Sequence, residues 1–516
     1  MTTIPSSPAP APAPLPNEIP GVAIAPGQIA AAIGRLDGLA RALRERTGIP
    51  GMAVAVVLEG QKVFAQGYGV RNNQESRADQ ECGDVDENTV FQLASVSKSI
   101  GATVVAREVG AKRVTWNDLV TRYLPWFKLS DPWVSSHLTL ADLYSHRSGL
   151  PDHGGDDLEE LGYDRMQILE RLRYLPLHPF RSTYEYTNFG VTAAAEAVAT
   201  AAGTDWATLS EEALYGPLRM DRTSSRYADF ATRDNRAHGH IKHKGEYVPK
   251  YQREPDAQSP AGGVSSSVND MAKWLAMLIE NGEVQGQPFI PAAALLPAIT
   301  PQIVSRAATS PIARADTYGY GFNVNVQASG RTDFNHSGAF GLGAGTAFSV
   351  IPSARVGIVV LTNAAPIGAA ESLIAEFLEL VQFGAITRDW FAAYQPLFAP
   401  YAEPAGTLVD RQPPEDAAPP RAPAAYQGVY GNPYFGDAHI VEGPDRSGLA
   451  LVLGPKAMRF PLRHWDGDRY VIDMHGENYE EGSVSAVDFA FGGTDCAATL
   501  TVELLDSNSL GTFARR

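Results

Sequence analysis

Two residues one helical turn apart carry the clearest chemical signal in the chain. They are Ser95 and Lys98, within Phe91-Gln-Leu-Ala-Ser95-Val-Ser-Lys98. On a helix this spacing places both side chains on one face, within reach of each other. A serine hydroxyl is a weak nucleophile and needs a base. A lysine amine can serve once burial or cationic neighbours lower its pKa. If Ser95 opens the helix, the helix dipole also favours negative charge developing there. The pair alone is not decisive, because Ser-x-x-Lys also occurs as an ordinary polar helix start.

Two further elements follow along the chain. Tyr186-Thr-Asn188 lies in Phe180–Gly190, ahead of an Ala-rich stretch that reads as a helix. Alone it could be a surface loop. His336-Ser-Gly338-Ala339 lies just before two late strand-like runs. A lone histidine is more often structural than catalytic, and Gly338 could be a turn residue. Together, in this order, the three match a known set: Ser-x-x-Lys, a polar second element and a third motif ending in glycine. Tyr-x-Asn takes the second place and His-x-Gly the third. The chain thus resembles the class C β-lactamase and D-alanyl-D-alanine-carboxypeptidase-like serine hydrolases, a penicillin-binding-protein-like family. Leu138–Leu150, Pro260–Trp274 and Tyr318-Gly-Tyr-Gly321 resemble other segments of that family, so the likeness runs from about Ile29 to Leu380.

The resemblance implies roles at the matching positions. Ser95 would attack and form an acyl-enzyme. Lys98 would accept or relay the proton and hold the Tyr186 phenol, which shuttles a proton to the leaving group. Asn188 would bond the substrate's acyl side. The backbone N–H groups of Ser95 and Ala339 would form the oxyanion hole. His336 and Gly338 would flank the substrate-binding strand. His336 departs from the family's β-lactamases and carboxypeptidases, which carry lysine there as a fixed cation for a substrate carboxylate. A histidine is mostly neutral near pH 7. The expectation therefore moves toward amide bonds of small peptides, including D- or unusual residues and linearised cyclic peptides. The alternatives are a carboxylesterase with incidental β-lactam hydrolysis, or a catalytically silent penicillin-binding or regulatory protein.

The elements that must position these residues are partly legible. Residues 26–47 have an apolar face of Leu36, Leu39, Ala40 and Leu43, which predicts a helix stopped by Gly48-Ile-Pro-Gly51. Two strands surround a Glu59-Gly60 turn, and two more are predicted at 343–351 and 356–362, before a helix at 369–383. Strands at both ends with helices between imply an α+β fold, the first and last strands sharing one antiparallel sheet. The expected organisation is a disordered Ala/Pro-rich arm (1–25), a β-lactamase/transpeptidase-like domain (26–394), a Pro/Ala-rich linker (395–425) and a small all-β lipocalin-like barrel (426–516). The barrel is expected to cover the mouth of the site or to contact another subunit.

Bulk properties narrow the field. The 516 residues carry a formal net charge of -16, with 44% apolar and 19% charged residues. This balance disfavours nucleic acid and anionic membranes as partners. No run is long enough to span a bilayer, and the N-terminus lacks the features of a secretory signal. The chain as given reads as cytoplasmic, or periplasmic if a leader has been removed. Cys82 and Cys496 read as two free thiols. His238, His240 and His243 have no carboxylate or cysteine nearby to complete a metal site, and read as part of an exposed loop. His146 and His153 are expected to order a loop near the site. Gly341, Gly343 and Gly345 read as a tight strand entry. No Gly-x-Ser-x-Gly, His-Glu-x-x-His or phosphate-loop pattern occurs. No cofactor or metal is expected. The expected partner is a small peptide or ester substrate, with homo-oligomerisation left open.

Overall fold

The computed structural model describes residues 18–74, 83–443 and 448–516. Cys82 and residues 1–17 of the expected arm lie outside these; Cys496 is an exposed free thiol. Residues 18–25 of that arm lie against the body, where Gly21 N–H bonds Ser329 O and Arg331 bonds Val22 O.

An eight-stranded antiparallel sheet forms the first body. Its strands are β1 (Gly51–Leu58), β2 (Gln61–Gly69), β3 (Ile303–Arg306), β4 (Asp316–Tyr318), β5 (Asn323–Val326), β6 (Thr332–Phe340), β7 (Ala344–Ile351) and β8 (Val356–Thr362). They lie in the order β2-β1-β8-β7-β6-β5-β4-β3. As expected, the first hairpin pairs with the last strand, Met52 facing Thr362 and Leu58 facing Val356. The Glu59-Gly60 turn has φ of 51° and 74°, the left-handed pair that a tight hairpin needs.

The central strands are buried on both faces, so their sequences are continuously apolar rather than alternating. Met52, Val54 and Val56 meet helices α1 (Gln28–Thr47) and α5 (Ala369–Phe383). Ala53, Ala55 and Val57 face the opposite way, toward helices α2 (Val96–Gly110), α3 (Asn188–Ala202) and α4 (Val268–Ile279). Helix α1 ends where the sequence says it should: Gly48, at φ 70°, returns its N–H to Arg44 O.

The C-terminal body is a closed barrel of eight consecutive antiparallel strands, from Gly428–Asn432 to Thr512–Arg515. It closes where Tyr430 pairs with Arg515. Tyr426, Tyr430, Leu500 and Phe513 are fully buried in it, as expected when eight strands leave room only for side chains. The stretch expected as a linker begins inside helix α6 (Trp390–Phe398) and then straps the barrel. Leu408 packs with Val471 and Ala486, and Ala418 N–H bonds Asp466. Its proline richness sets an extended path, but scattered apolar and polar pegs tie that path down. Among the described residues, no helix is long and apolar enough to cross a membrane.

Candidate active site

The turn before α2 puts Ser95 where chemistry needs it. Ala94 is fully buried at φ 46°, a left-handed conformation that a non-glycine residue holds only when its surroundings enforce it. Ser95 then caps α2 by position, yet its side chain makes no capping bond. Its hydroxyl is left for other partners, and its N–H finds no acceptor among the described residues.

Lys98 is fully buried one turn on. Its Nζ lies 3.1 Å from Ser95 Oγ, 2.6 Å from Asn188 Oδ1 and 3.0 Å from the Ala261 carbonyl. Burial pushes this amine down to about 7, opposed by the carboxylate of Asp156. Three oxygens surround the nitrogen; when the amine is neutral, N–H bonds to Asn188 and Ala261 leave its lone pair for the Ser95 hydroxyl. Asn188 opens α3, and its amide donates to Asp156 Oδ2 at 2.8 Å. His153 Nδ1 meets the same oxygen at 2.8 Å. The Asn188 side chain is therefore shared between Lys98 and Asp156 rather than directed wholly at the cleft.

Burial holds the Tyr186 phenol well above the ordinary tyrosine range, against the pull of the nearby Ser95 hydroxyl. Lys98 Nζ lies 4.5 Å over the Tyr186 ring, a cation–π placement, and its three hydrogen bonds go elsewhere. The family pattern implies a Lys98 bond to the phenol oxygen; here the lysine meets the ring face. His146, fully buried at φ 56°, packs on Tyr186 with ring centroids 4.5 Å apart. Its Nδ1 accepts the Thr187 N–H at 3.1 Å, which puts the proton on Nε2. Burial keeps the ring neutral. Asp142, buried between Arg147 and Arg181, fixes the loop carrying His146.

His336, Gly338 and Ala339 lie within β6, not ahead of the strands as their sequence position suggested. Four polar residues in Asp333–Ser337 hide the strand's alternation. His336 Nδ1 donates to the Ser337 carbonyl at 2.6 Å, so Nε2 is a bare acceptor and takes the Tyr318 hydroxyl at 2.9 Å. Burial, with help from Lys98, drives its pKa to about 3. The position is neutral at any physiological pH.

Gly338 explains its own motif. A Cβ there would lie 3.0 Å from Ser95 N and would collide with the Leu93 carbonyl and the Thr346 hydroxyl. Only glycine lets β6 approach the nucleophile's turn this closely. Gly338→Ala should therefore lower kcat by roughly 10²-fold, the scale of a misplacement near 1 Å. Steady-state assays with a p-nitrophenyl ester check this, and a wild-type rate would show that the contact is not needed.

Ser95, Tyr186, Asn188, His336 and Ala339 line a cleft of about 900 Å³ with Asp152, Asp156, Asp157, Glu371 and Tyr401. Burial raises Glu371 to about 7, against the pull of the nearby Ser337 hydroxyl. Barrel residues Glu477, Tyr479 and Asn508 complete the wall. Sequence reasoning did not find Asp156, Glu371 or Glu477, because none belongs to a motif and each becomes a neighbour only through the fold; it placed Tyr318 in a family-like segment but gave it no role. The histidine cluster is not the expected exposed loop. His240 is buried against the Asn363 carbonyl, and His243 bonds Glu481 of the barrel. Among the described residues, no group of three or more His, Cys, Asp or Glu could hold a metal. Gly343, at φ 126°, makes the tight turn between β6 and β7.

Comparison with known proteins agrees with this architecture. The family model described as Beta-lactamase matches residues 36–381. An unguisins hydrolase, ungD', from Aspergillus campestris is 28% identical over 334 residues. The match covers 62% of this chain and only 59% of that protein. Penicillin-binding protein 4 of Amycolatopsis lactamdurans is 26% identical, across 70% of this chain and 92% of its own length. Among solved structures, the octameric penicillin-binding protein homologue from Pyrococcus abyssi superposes with a TM-score of 0.56 at 18% identity. It covers 91% of this chain and 98% of its own, a likeness of fold. The family match extends over well more than half of the sequence and includes the segments bearing Ser95, Lys98, Tyr186 and His336; the chain belongs to the beta-lactamase family.

Proposed function

We propose that this chain is a serine hydrolase that cleaves amide bonds of small peptides through an acyl-enzyme on Ser95. The observation that carries the reading is the Lys98 amine, 3.1 Å from Ser95 Oγ and lowered by burial to about 7. In this reading Ser95 Oγ attacks the substrate carbonyl while its proton passes to neutral Lys98. The tetrahedral oxygen takes N–H bonds from Ser95 and Ala339. Tyr186, beside Ser95, gives its phenol proton to the leaving amine, and the proton held on Lys98 passes to the phenolate, restoring both groups. Water then repeats the cycle on the ester and frees the acid. Asn188 holds Lys98 as well as facing the acyl side.

The substrate class rests on His336. With its pKa near 3 and both ring nitrogens engaged, it supplies no cation for a substrate carboxylate. Asp152 adds a carboxylate to the cleft wall. Substrates with a free carboxylate at this end are therefore disfavoured, and amides or esters neutral there are favoured. The similarity to a protein named as an unguisins hydrolase supports a hydrolytic activity.

The test is a panel of D- and L-aminoacyl p-nitroanilides, p-nitrophenyl esters and nitrocefin, run with a fluorophosphonate label read by mass. The expected result is labelling at Ser95 and turnover of anilides, with nitrocefin slow. His336→Lys should raise the preference for carboxylate-bearing substrates over neutral ones by about tenfold, the scale of one added ion pair in a cleft. Loss of both classes in parallel would sink the substrate argument. Turnover of esters alone would make the chain an esterase, and neither label nor turnover would make it a silent binder.

A further inference from the structure

The barrel reaches the cleft through the loop between strands Arg469–Met474 and Ser483–Ala490. Glu477 in that loop takes two successive backbone N–H groups, Gly341 at 2.8 Å and Leu342 at 3.3 Å. Those amides form the turn from β6 to β7, immediately beyond Ala339 and Phe340. Its side chain is only 14% exposed, with Arg253 Nε 3.9 Å away. Arg253 is itself bound to Glu159 at 2.6 Å and lies over the Phe340 ring. The loop is anchored in turn. Glu160 accepts the N–H groups of Glu477 and Asn478, at 3.1 and 3.3 Å, and Tyr479 donates to Asp157 at 3.0 Å. A Cβ on Gly476 would run into the Glu160 carboxylate, so the loop needs glycine to come this close.

The turn needs such a clamp. β5 pairs with β6 only from Thr332 to Asn335, so the stretch from His336 to Phe340 has β7 on one side and the open cleft on the other. A carboxylate gripping two adjacent N–H groups fixes both the position and the orientation of a turn. A buried carboxylate is costly unless its bonds are satisfied, and these bonds all serve the hairpin or Arg253.

We propose that Glu477 is a positioning residue for the oxyanion hole: from the barrel, it pins the β6–β7 turn and so sets where the Ala339 N–H points. This rests on the reading above, in which Ser95 and Ala339 N–H groups hold the tetrahedral oxygen. The barrel then completes the catalytic body rather than only covering it.

The test uses the full chain and an arylboronic acid, whose tetrahedral adduct with Ser95 places an oxygen in the hole. Glu477→Ala should raise the boronate Ki by about tenfold or more and lower kcat/KM for a p-nitrophenyl ester by the same factor. KM should move by less than about threefold, because the contact acts on the transition state. Glu477→Gln keeps one acceptor and should lose less; it carries the test if the alanine variant does not fold. Glu481→Gln is the control. Glu481 joins the barrel to Lys250, Tyr251 and His243 and bonds none of the hairpin's backbone amides. It should lower the melting temperature without moving the boronate Ki. An unchanged Ki in both Glu477 variants overturns the proposal, as does an equal rise in Glu481→Gln, which would make barrel docking the cause. A wild-type Ser95 that takes no fluorophosphonate label is a different failure: it removes the underlying reading.

Discussion

Ser95→Ala should fold normally and lose about 10⁴-fold or more in kcat, the scale seen when a nucleophile is removed from a unit that works together. The fold should survive because the hydroxyl caps nothing in α2; its neighbours are Lys98 and Tyr186. The loss should be large because no other hydroxyl can take its place against Lys98. That amine is committed to Ser95, Asn188 and Ala261. What remains is substrate binding and an oxyanion hole with nothing to attack from. Single-turnover assays with a p-nitrophenyl ester should show no burst, and intact mass should show no phosphonate adduct. Retention of more than a tenth of wild-type kcat would mean that another group attacks. Circular dichroism and thermal melting of the variant guard against a trivial loss of fold.

The parts of this site that could be read from the sequence are those where neighbours in space are neighbours in the chain. Ser95 and Lys98 share a helix face, and Tyr186 and Asn188 sit at one helix start. The apolar runs of β1, β7 and β8 and the helix at 369–383 were equally plain, because burial on both faces leaves little else for a sequence to say. β6 was harder. It carries Asp333, Asn335, His336 and Ser337, because one edge lies open to the cleft and the residues there face polar partners. The least legible residues are those joined across long stretches of chain, from 18 positions for Tyr318 and His336 to 136 for Glu477 and Gly341. Asp156 meets Lys98 through Asn188, Tyr318 takes the second nitrogen of His336, and Glu477 meets Gly341 from the barrel. The Pro/Ala stretch misled for a related reason. Composition sets its extended backbone but does not show that Leu408 will find a slot between Val471 and Ala486.

Lys98→Met should cost nearly as much as Ser95→Ala, and it should also change how rate and stability depend on pH. In the wild type the base must be neutral, so kcat/KM should rise with pH along a limb centred near 7 and then level off. Glu371, in the same cleft and also raised to about 7, is one rival for that limb, and a Glu371→Gln variant that keeps the limb removes it. Tyr186 titrates far above it, while His146 and His336 stay neutral and titrate below it. Asp156 is the carboxylate that pulls the amine upward. His153, bonded to Asp156, is raised from its ordinary value and is the one histidine that could mimic the limb. A His153→Asn variant that keeps the limb separates the two. The residual activity of Lys98→Met should show no limb near 7. Stability follows from the same shift. Lys98 falls from 10.5 when unfolded to about 7 when folded. Between those values the unfolded chain holds a proton that the folded chain has shed, so this residue's contribution makes the fold more stable as pH rises from 7 to 10.5. Below 7 the full cost of a buried ammonium is present. Methionine removes that cost, so the variant should gain most over wild type at pH 6 and least near pH 10. Urea unfolding of both proteins at the two pH values measures this difference. A Lys98→Met variant that kept the limb, or that showed the same offset from wild type at both pH values, would mean that Lys98 is not the buried base.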